Sequence, residues 1–292
     1  MTWSPGPVVT RRRLGGELKR LREGRRLKLE DVARRLECSP SKISRLENGK
    51  GVPRWRDVRD MLDVYDVQDA GMRDRLESWA RTGQAKMWWR SYSDVMPPAM
   101  ATYVELEWDA ARIQAYEPFV VHGLLQTPDY ARVVLRNALG SSAPERTIDK
   151  LVEVRMQRQD ALKQEHGLSF ACVLDESVLN RVVGSVDILK AQLEHLLTAA
   201  EAEHVDVRVL PFSAGLVPGS RGAFAKLDYS EGIEHGLVYV ERPPVAGEFL
   251  ADPAEIADHE AWLEGLYAAA LSESDSVPLL ERAVRRIDTT DG

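Results

Sequence analysis

Cysteine is scarce in this chain: Cys38 and Cys172 are the only two, far apart and in neither a metal-ligand nor a redox spacing. A reducing, cytoplasmic setting is therefore expected. No apolar run approaches the roughly 20 residues that cross a bilayer, and MTWSPGPVVTRRRLGG has no apolar stretch of the kind a secretory signal needs. No membrane association is expected. The six histidines, His122, His166, His195, His204, His235 and His259, never pair at ligand spacing, so neither metal nor other cofactor is expected; His195 and His204 read as surface residues. GxGxxG, GxxxxGK, HExxH and GxSxG are all missing, which removes the commonest signatures of dinucleotide, phosphate, zinc-protease and serine-hydrolase chemistry. Internal repeats and low-complexity segments are missing too.

What is present is an uneven charge. A chain of 292 residues exceeds the usual single domain, so two domains are expected. Residues 1–60 hold 17 Lys and Arg against 8 Asp and Glu, whereas 61–292 hold 22 against 38. The first part thus suits a polyanion and the second does not; an unevenly solvated surface is the plainer reading of charge alone.

The basic part carries helical periodicity. LGGELKRLREG places Leu14, Leu18 and Leu21 on one stripe, and Glu30–Leu36 turns Val32, Ala33 and Leu36 inward. In CSPSKISRLENGK, Ile43 and Leu46 share a buried face, while Ser41, Lys42, Ser44 and Arg45 project elsewhere. Ser39 suits the cap, Pro40 the first helical position, and Gly49 a left-handed stop. RWRDVRDMLDVYDV adds a fourth helix with Val58, Met61, Leu62 and Tyr65 inward, and Asp69–Thr82 a further, connecting one. Residues 1–13 read as a disordered basic arm.

Ala33, the Glu37–Cys38–Ser39 turn and Ile43 have the spacing of a helix-turn-helix, in which a small residue permits close crossing and an apolar one locks the second helix. LKLEDVARRLECSPSKISRLENGK resembles the helix-turn-helix of the phage-repressor-like, xenobiotic-response-element regulators, whose five-helix domain covers residues 14–68. The resemblance implies binding to double-stranded DNA by a homodimer. It places Lys28, Ser39, Ser41, Lys42, Ser44 and Arg45 where that family reads or grips DNA, with Arg45 set for a bidentate contact to guanine. Lys50 and Arg54 fall near the phosphates, and Glu47 pairs with Arg22 as a structural ion pair. Where the family often has Gly in the turn, this chain has Glu37, which implies backbone strain of order 1 kcal/mol.

Beyond a connecting segment at 69–83, residues 84–285 read as an α+β domain with a small, mostly antiparallel sheet. LSFACVLD, VDVRVLPF, AFAKLDYS and GLVYVERP are strand-like, and Pro128–Ala138, Pro144–Lys163, Val186–Glu203, Pro253–Leu271 and Val277–Ile287 are helical. Cys172 reads as a core residue; Trp88 and Trp89 suit either packing or a pocket wall. HGLLQTPDYAR, RMQRQDAL, VLDESVLNRVVG, VRVLPFSAG and VYVE, in this order, resemble the antitoxin-like domain of a large actinomycete regulator family. That resemblance implies no catalysis, a nucleoid-associated location and a small acidic partner protein from a neighbouring gene. His122 replaces the family's proline before Gly123, which puts a stiff turn there in question. A competing reading is a DNA-tethered enzyme with its site near Asp175 and Glu176, together with Arg155 and Arg158. A deep pocket of converging, perturbed titratable groups would speak for that reading, and a shallow apolar groove for a partner surface.

Overall fold

A computed structural model describes residues 7–49, 51–83, 88–163, 167–230, 236–242 and 246–290. The chain forms two units, Met1–Trp88 with Tyr229–Glu234, and Trp89–Asp228 with His235–Gly292, the second holding the sheet.

Five helices build the first unit: α1 (Pro7–Gly24), α2 (Leu29–Arg35), α3 (Pro40–Glu47), α4 (Trp55–Val64) and α5 (Ala70–Thr82). Leu14, Leu18, Val32, Ile43, Val58 and Met61 meet in one core, to which α5 adds Leu76 and Ala80. The helix read as a connector is thus part of the packed unit. The expected disordered arm is corrected over Pro7–Arg13, which is helical; residues 1–6 lie outside the described residues. Thr10 and Arg11 then fall on the buried face of Leu14 and Leu18, and the Arg11 guanidinium donates to the Gly83 carbonyl at 3.3 Å. Basic composition concealed this extra helical length.

The second unit contains a six-stranded mixed sheet of order β3-β2-β1-β4-β5-β6. The strands are β1 (Arg112–Glu117), β2 (Ser169–Asp175), β3 (Val205–Leu210), β4 (Phe224–Asp228), β5 (Leu237–Arg242) and β6 (Ala246–Leu250). β1 pairs with β2, and β2 with β3, in parallel; the remaining pairs are antiparallel. The expectation of a small, mostly antiparallel sheet is therefore corrected. Between β1 and β2 the chain runs through α7 (Pro128–Leu139) and α8 (Glu145–Arg158), and between β2 and β3 through α9 (Val186–Ala199). Such helical crossovers return the chain in the same direction and make parallel pairs.

α6 (Pro98–Trp108) precedes the sheet, and α10 (Pro253–Ala269) and α11 (Glu273–Thr290) follow it. α10 covers one sheet face with Ile256, Leu263 and Leu266 against Tyr116, Val173, Phe224 and Val238. Because side chains alternate along a strand, Glu117, Tyr239 and Glu241 project from the opposite face. No helix among the described residues is long and apolar enough to cross a membrane.

Candidate nucleic-acid interface

The Ser39 hydroxyl accepts from the Lys42 N–H at 3.2 Å and Pro40 follows it, so α3 starts at a defined residue. Gly49 stops it at φ 66°; a side chain there would collide with the Arg12 backbone at 2.8 Å. On the inner side Ile43 and Leu46 are buried, and truncating such side chains to Ala costs about 2–5 kcal/mol. α1 crosses α3 closely over Gly15, where a Cβ would lie 2.5 Å from the Leu46 carbonyl oxygen. The sequence reading did not single out Gly15, because its role depends on a neighbour some thirty positions away.

The outer face of α3 carries Ser41, Lys42 and Arg45, all exposed and separated by the three- and four-residue steps of one helical stripe. Ser44 is half-buried and its carbonyl accepts from the Asn48 side chain at 2.8 Å. Ser39 is exposed, and its hydroxyl lies 3.0 Å from that of Ser41. Arg45 has no side-chain partner among the described residues and is free to reach a ligand. Lys42 instead pairs with Asp57 of α4 at 2.9 Å, so its ammonium is shared between the stripe and the neighbouring helix. Lys28 stands exposed just before α2 and Arg54 just before α4. Lys50 lies outside the described residues.

In the turn, Glu37 adopts φ 49°, the left-handed region that a Cβ disfavours. The Cys38 N–H reaches back to the Ala33 carbonyl at 2.9 Å, closing α2 and aiming the chain into α3. Arg22 and Glu47 form a bidentate, buried pair, Nε to Oε1 at 2.7 Å and Nη2 to Oε2 at 2.9 Å. The Glu47 hydrogen bond holds Arg22 above its ordinary pKa. Arg22 also donates to the Leu27 carbonyl at 2.8 Å, fastening the chain ahead of α2. Guanidinium groups of Arg56, Arg59 and Arg81 lie 5.4–5.7 Å from the Trp55 ring, a basic cluster that sequence reasoning missed. Aromatic-basic alternation in RWRDVR was its only sequence signal.

The residues weighed for chemistry in the second unit separate into two places. Asp175 accepts from the Ser177 N–H at 2.9 Å, a local cap, and Glu176 from the Phe212 N–H at 2.7 Å, a tie to the segment after β3. Cys172 is fully buried in β2; His204 meets the Leu162 carbonyl; Trp89 is buried, with its N–H on Glu105 at 3.3 Å. No cluster of metal-ligating side chains occurs among the described residues.

Arg155 and Arg158 instead line a cavity of about 470 Å³ beside the carboxyl end of β1, with Glu117, His122, Tyr103 and Glu241. Arg158 is bound by Glu107 in a fully buried bidentate pair, both contacts 2.7 Å. Burial works against its charge and the Glu107 carboxylate more than offsets that, holding its pKa up. Burial, with Glu241 adding repulsion, pushes the Glu117 carboxyl well above the usual carboxylate range. Burial and the two nearby arginines push His122 down to about 3. Its Nδ1 accepts from the Leu124 N–H at 3.2 Å and its Nε2 lies 3.3 Å from the Tyr103 hydroxyl. The turn before Gly123 is thus held by a side-chain hydrogen bond in place of a proline ring. Perturbed titratable groups converge at this cavity.

A family model described as a helix-turn-helix domain matches residues 13–76, and one described as a domain of unknown function (DUF5753) matches residues 100–282. No curated protein and no solved structure matches the chain.

Proposed function

Because this chain belongs to the DUF5753 family and carries a helix-turn-helix domain ahead of it, we propose that it is a sequence-specific transcription regulator, cytoplasmic and nucleoid-associated. It binds double-stranded DNA by laying α3 in the major groove, and its second unit senses a ligand or a small acidic partner protein. The observation that carries the DNA contact is the division of α3: Ile43 and Leu46 are buried while Ser41, Lys42 and Arg45 stand out together. One helix of eight residues covers only a few base pairs, so specificity calls for two copies spaced by about 34 Å on one DNA face. α5 has used its apolar side, with Leu76 and Ala80 buried and Met72 and Trp79 packed on the same core. The dimer contact therefore belongs to the second unit. That unit exposes Phe212, Leu216 and Val182, which suit a protein contact.

Catalysis is not part of the proposal. Both ring nitrogens of His122 are engaged within the protein, so this imidazole is not free to act as a base at the cavity. Asp175 and Glu176 are tied to backbone N–H groups.

Selection of bound sites from a random-sequence library, followed by titration at several salt concentrations, tests the reading. Arg45→Ala is expected to cost about 1–3 kcal/mol at the selected site and to relax preference at one base position. Arg54→Ala is expected to weaken all sequences alike and to lower the salt slope by about 1. If Arg45→Ala keeps both affinity and preference, α3 does not read bases.

A further inference from the structure

The cavity beside β1 has an apolar wall and an unbalanced charge. Met100, Phe119, Leu135, Ala138 and Tyr239 supply the wall. Its volume, about 470 Å³, falls within the roughly 300–1,000 Å³ of small-molecule sites. It also lies at the carboxyl end of a parallel strand, where open α/β sheets collect ligands.

Among the charged groups lining it, Arg158 is already neutralised by Glu107. Arg155 is not. Its only hydrogen bond among the described residues is one from a terminal guanidinium nitrogen to the Gln126 amide oxygen at 2.7 Å. Its Nε is enclosed and has no partner among the described residues, so only the terminal nitrogens can meet a ligand in the cavity. Glu117, a buried carboxyl of the same lining, makes no hydrogen bond and no ion pair among the described residues. A guanidinium held at a cavity wall by one neutral acceptor keeps further N–H donors for a ligand.

We propose that this cavity is a binding site for a small apolar monocarboxylate, whose carboxylate takes the terminal N–H groups of Arg155 while its hydrocarbon or aromatic body lies against the Phe119, Leu135 and Tyr239 wall. The electrostatics agree with the geometry. Burial and Arg158 hold Arg155 down to about 10, the mark of a cation short of a counter-ion. Burial favours the protonated form of the Glu117 carboxyl, which can donate an O–H to an incoming carboxylate. A cationic ligand would face Arg155 and Arg158 together, with Glu241 as the exposed acidic group at the cavity. The proposal extends the regulator reading by naming what the second unit senses. Binding is measured without DNA, so either can fail while the other stands.

The test uses the full-length protein and matched probes: phenylacetate and octanoate against phenethylamine and octylamine, by titration calorimetry and thermal shift. The acids are expected to bind one per chain and to raise the melting temperature, as any ligand of the folded state does; the amines are expected to do neither. Arg155→Met is expected to weaken the acids by at least about tenfold. It should also raise the melting temperature of the ligand-free protein, because an uncompensated buried charge has gone. Ala138→Trp, which fills the cavity from a half-buried helical position, is expected to abolish binding. Glu117→Gln keeps a neutral donor and is expected to retain it. Amines binding more tightly than acids, no acid binding, or acids binding unchanged to either Arg155→Met or Ala138→Trp would each overturn the assignment.

Discussion

Removing Glu47 offers the sharpest probe of how the recognition helix is held. Glu47 ends α3 with its side chain 3% exposed, facing an Arg22 side chain that is 10% exposed. Both guanidinium–carboxylate contacts are short, and the Tyr65 hydroxyl adds a longer one to Glu47 at 3.4 Å. Exposed pairs contribute about 0–1 kcal/mol, but breaking a buried pair by deleting one partner costs about 3–5 kcal/mol, because the other charge stays desolvated. Glu47→Ala strands Arg22 with the Leu27 carbonyl as its chief remaining acceptor, so a loss of about 3 kcal/mol is expected. Arg22→Met should cost a similar amount, while Arg22→Met with Glu47→Leu should cost much less than the two combined. That leaves a coupling of roughly 2–3 kcal/mol, within the range found for contacting residues. Hydrogen exchange at the α1–α4 amides in the full-length protein reads the opening free energy of this unit separately. Operator affinity should fall with the single variants and recover in the double one. A coupling below about 0.5 kcal/mol would refute the reasoning, because it would place the pair with exposed ones.

Two further outcomes are expected. Glu37→Gly should stabilise the first unit by about 1 kcal/mol in the same exchange experiment, since Glu37 sits at φ 49° where glycine meets no Cβ clash. The stability of the second unit should respond to pH through two opposed groups. Below the ordinary histidine value of 6.5 the unfolded chain gains a proton that buried His122 refuses until about 3, so His122 lowers stability as pH falls. Above the ordinary carboxyl value of 4.5 the unfolded chain loses a proton that buried Glu117 retains, so Glu117 raises stability as pH falls. Relative to wild type, Glu117→Gln should therefore lose stability between pH 6.5 and 4.5, and His122→Gln should gain it, each by up to about 1.4 kcal/mol per pH unit in urea melts. Slopes of the same sign in both variants would show that one of the two is not buried in its neutral form.

The sequence by itself determined the first unit almost completely, because what defines a helix-turn-helix is local. Ser39, Pro40 and Gly49 mark the ends of α3 by their own backbone preferences, and the three-residue step from Ile43 to Leu46 marks its inner face without reference to anything distant. Even the strain at Glu37 was legible, as a side chain standing in a turn that favours glycine. Composition misled only at the start, where RRR looked like an arm although Thr10 and Arg11 continue a buried helical face.

Tertiary structure decided the second unit. β1 reads RIQAYE, with charged ends and too few apolar residues to announce a strand; its partners β2 and β4 lie more than fifty residues away. Once β1 enters between them, helical crossovers make half the sheet parallel. The cavity is further still from local pattern, since Tyr103, Glu117, Arg155 and Glu241 come from α6, β1, α8 and β5. A glutamate is pushed up and a histidine down there, chiefly through burial and then through nearby charges, and both are set by neighbours that only folding brings together.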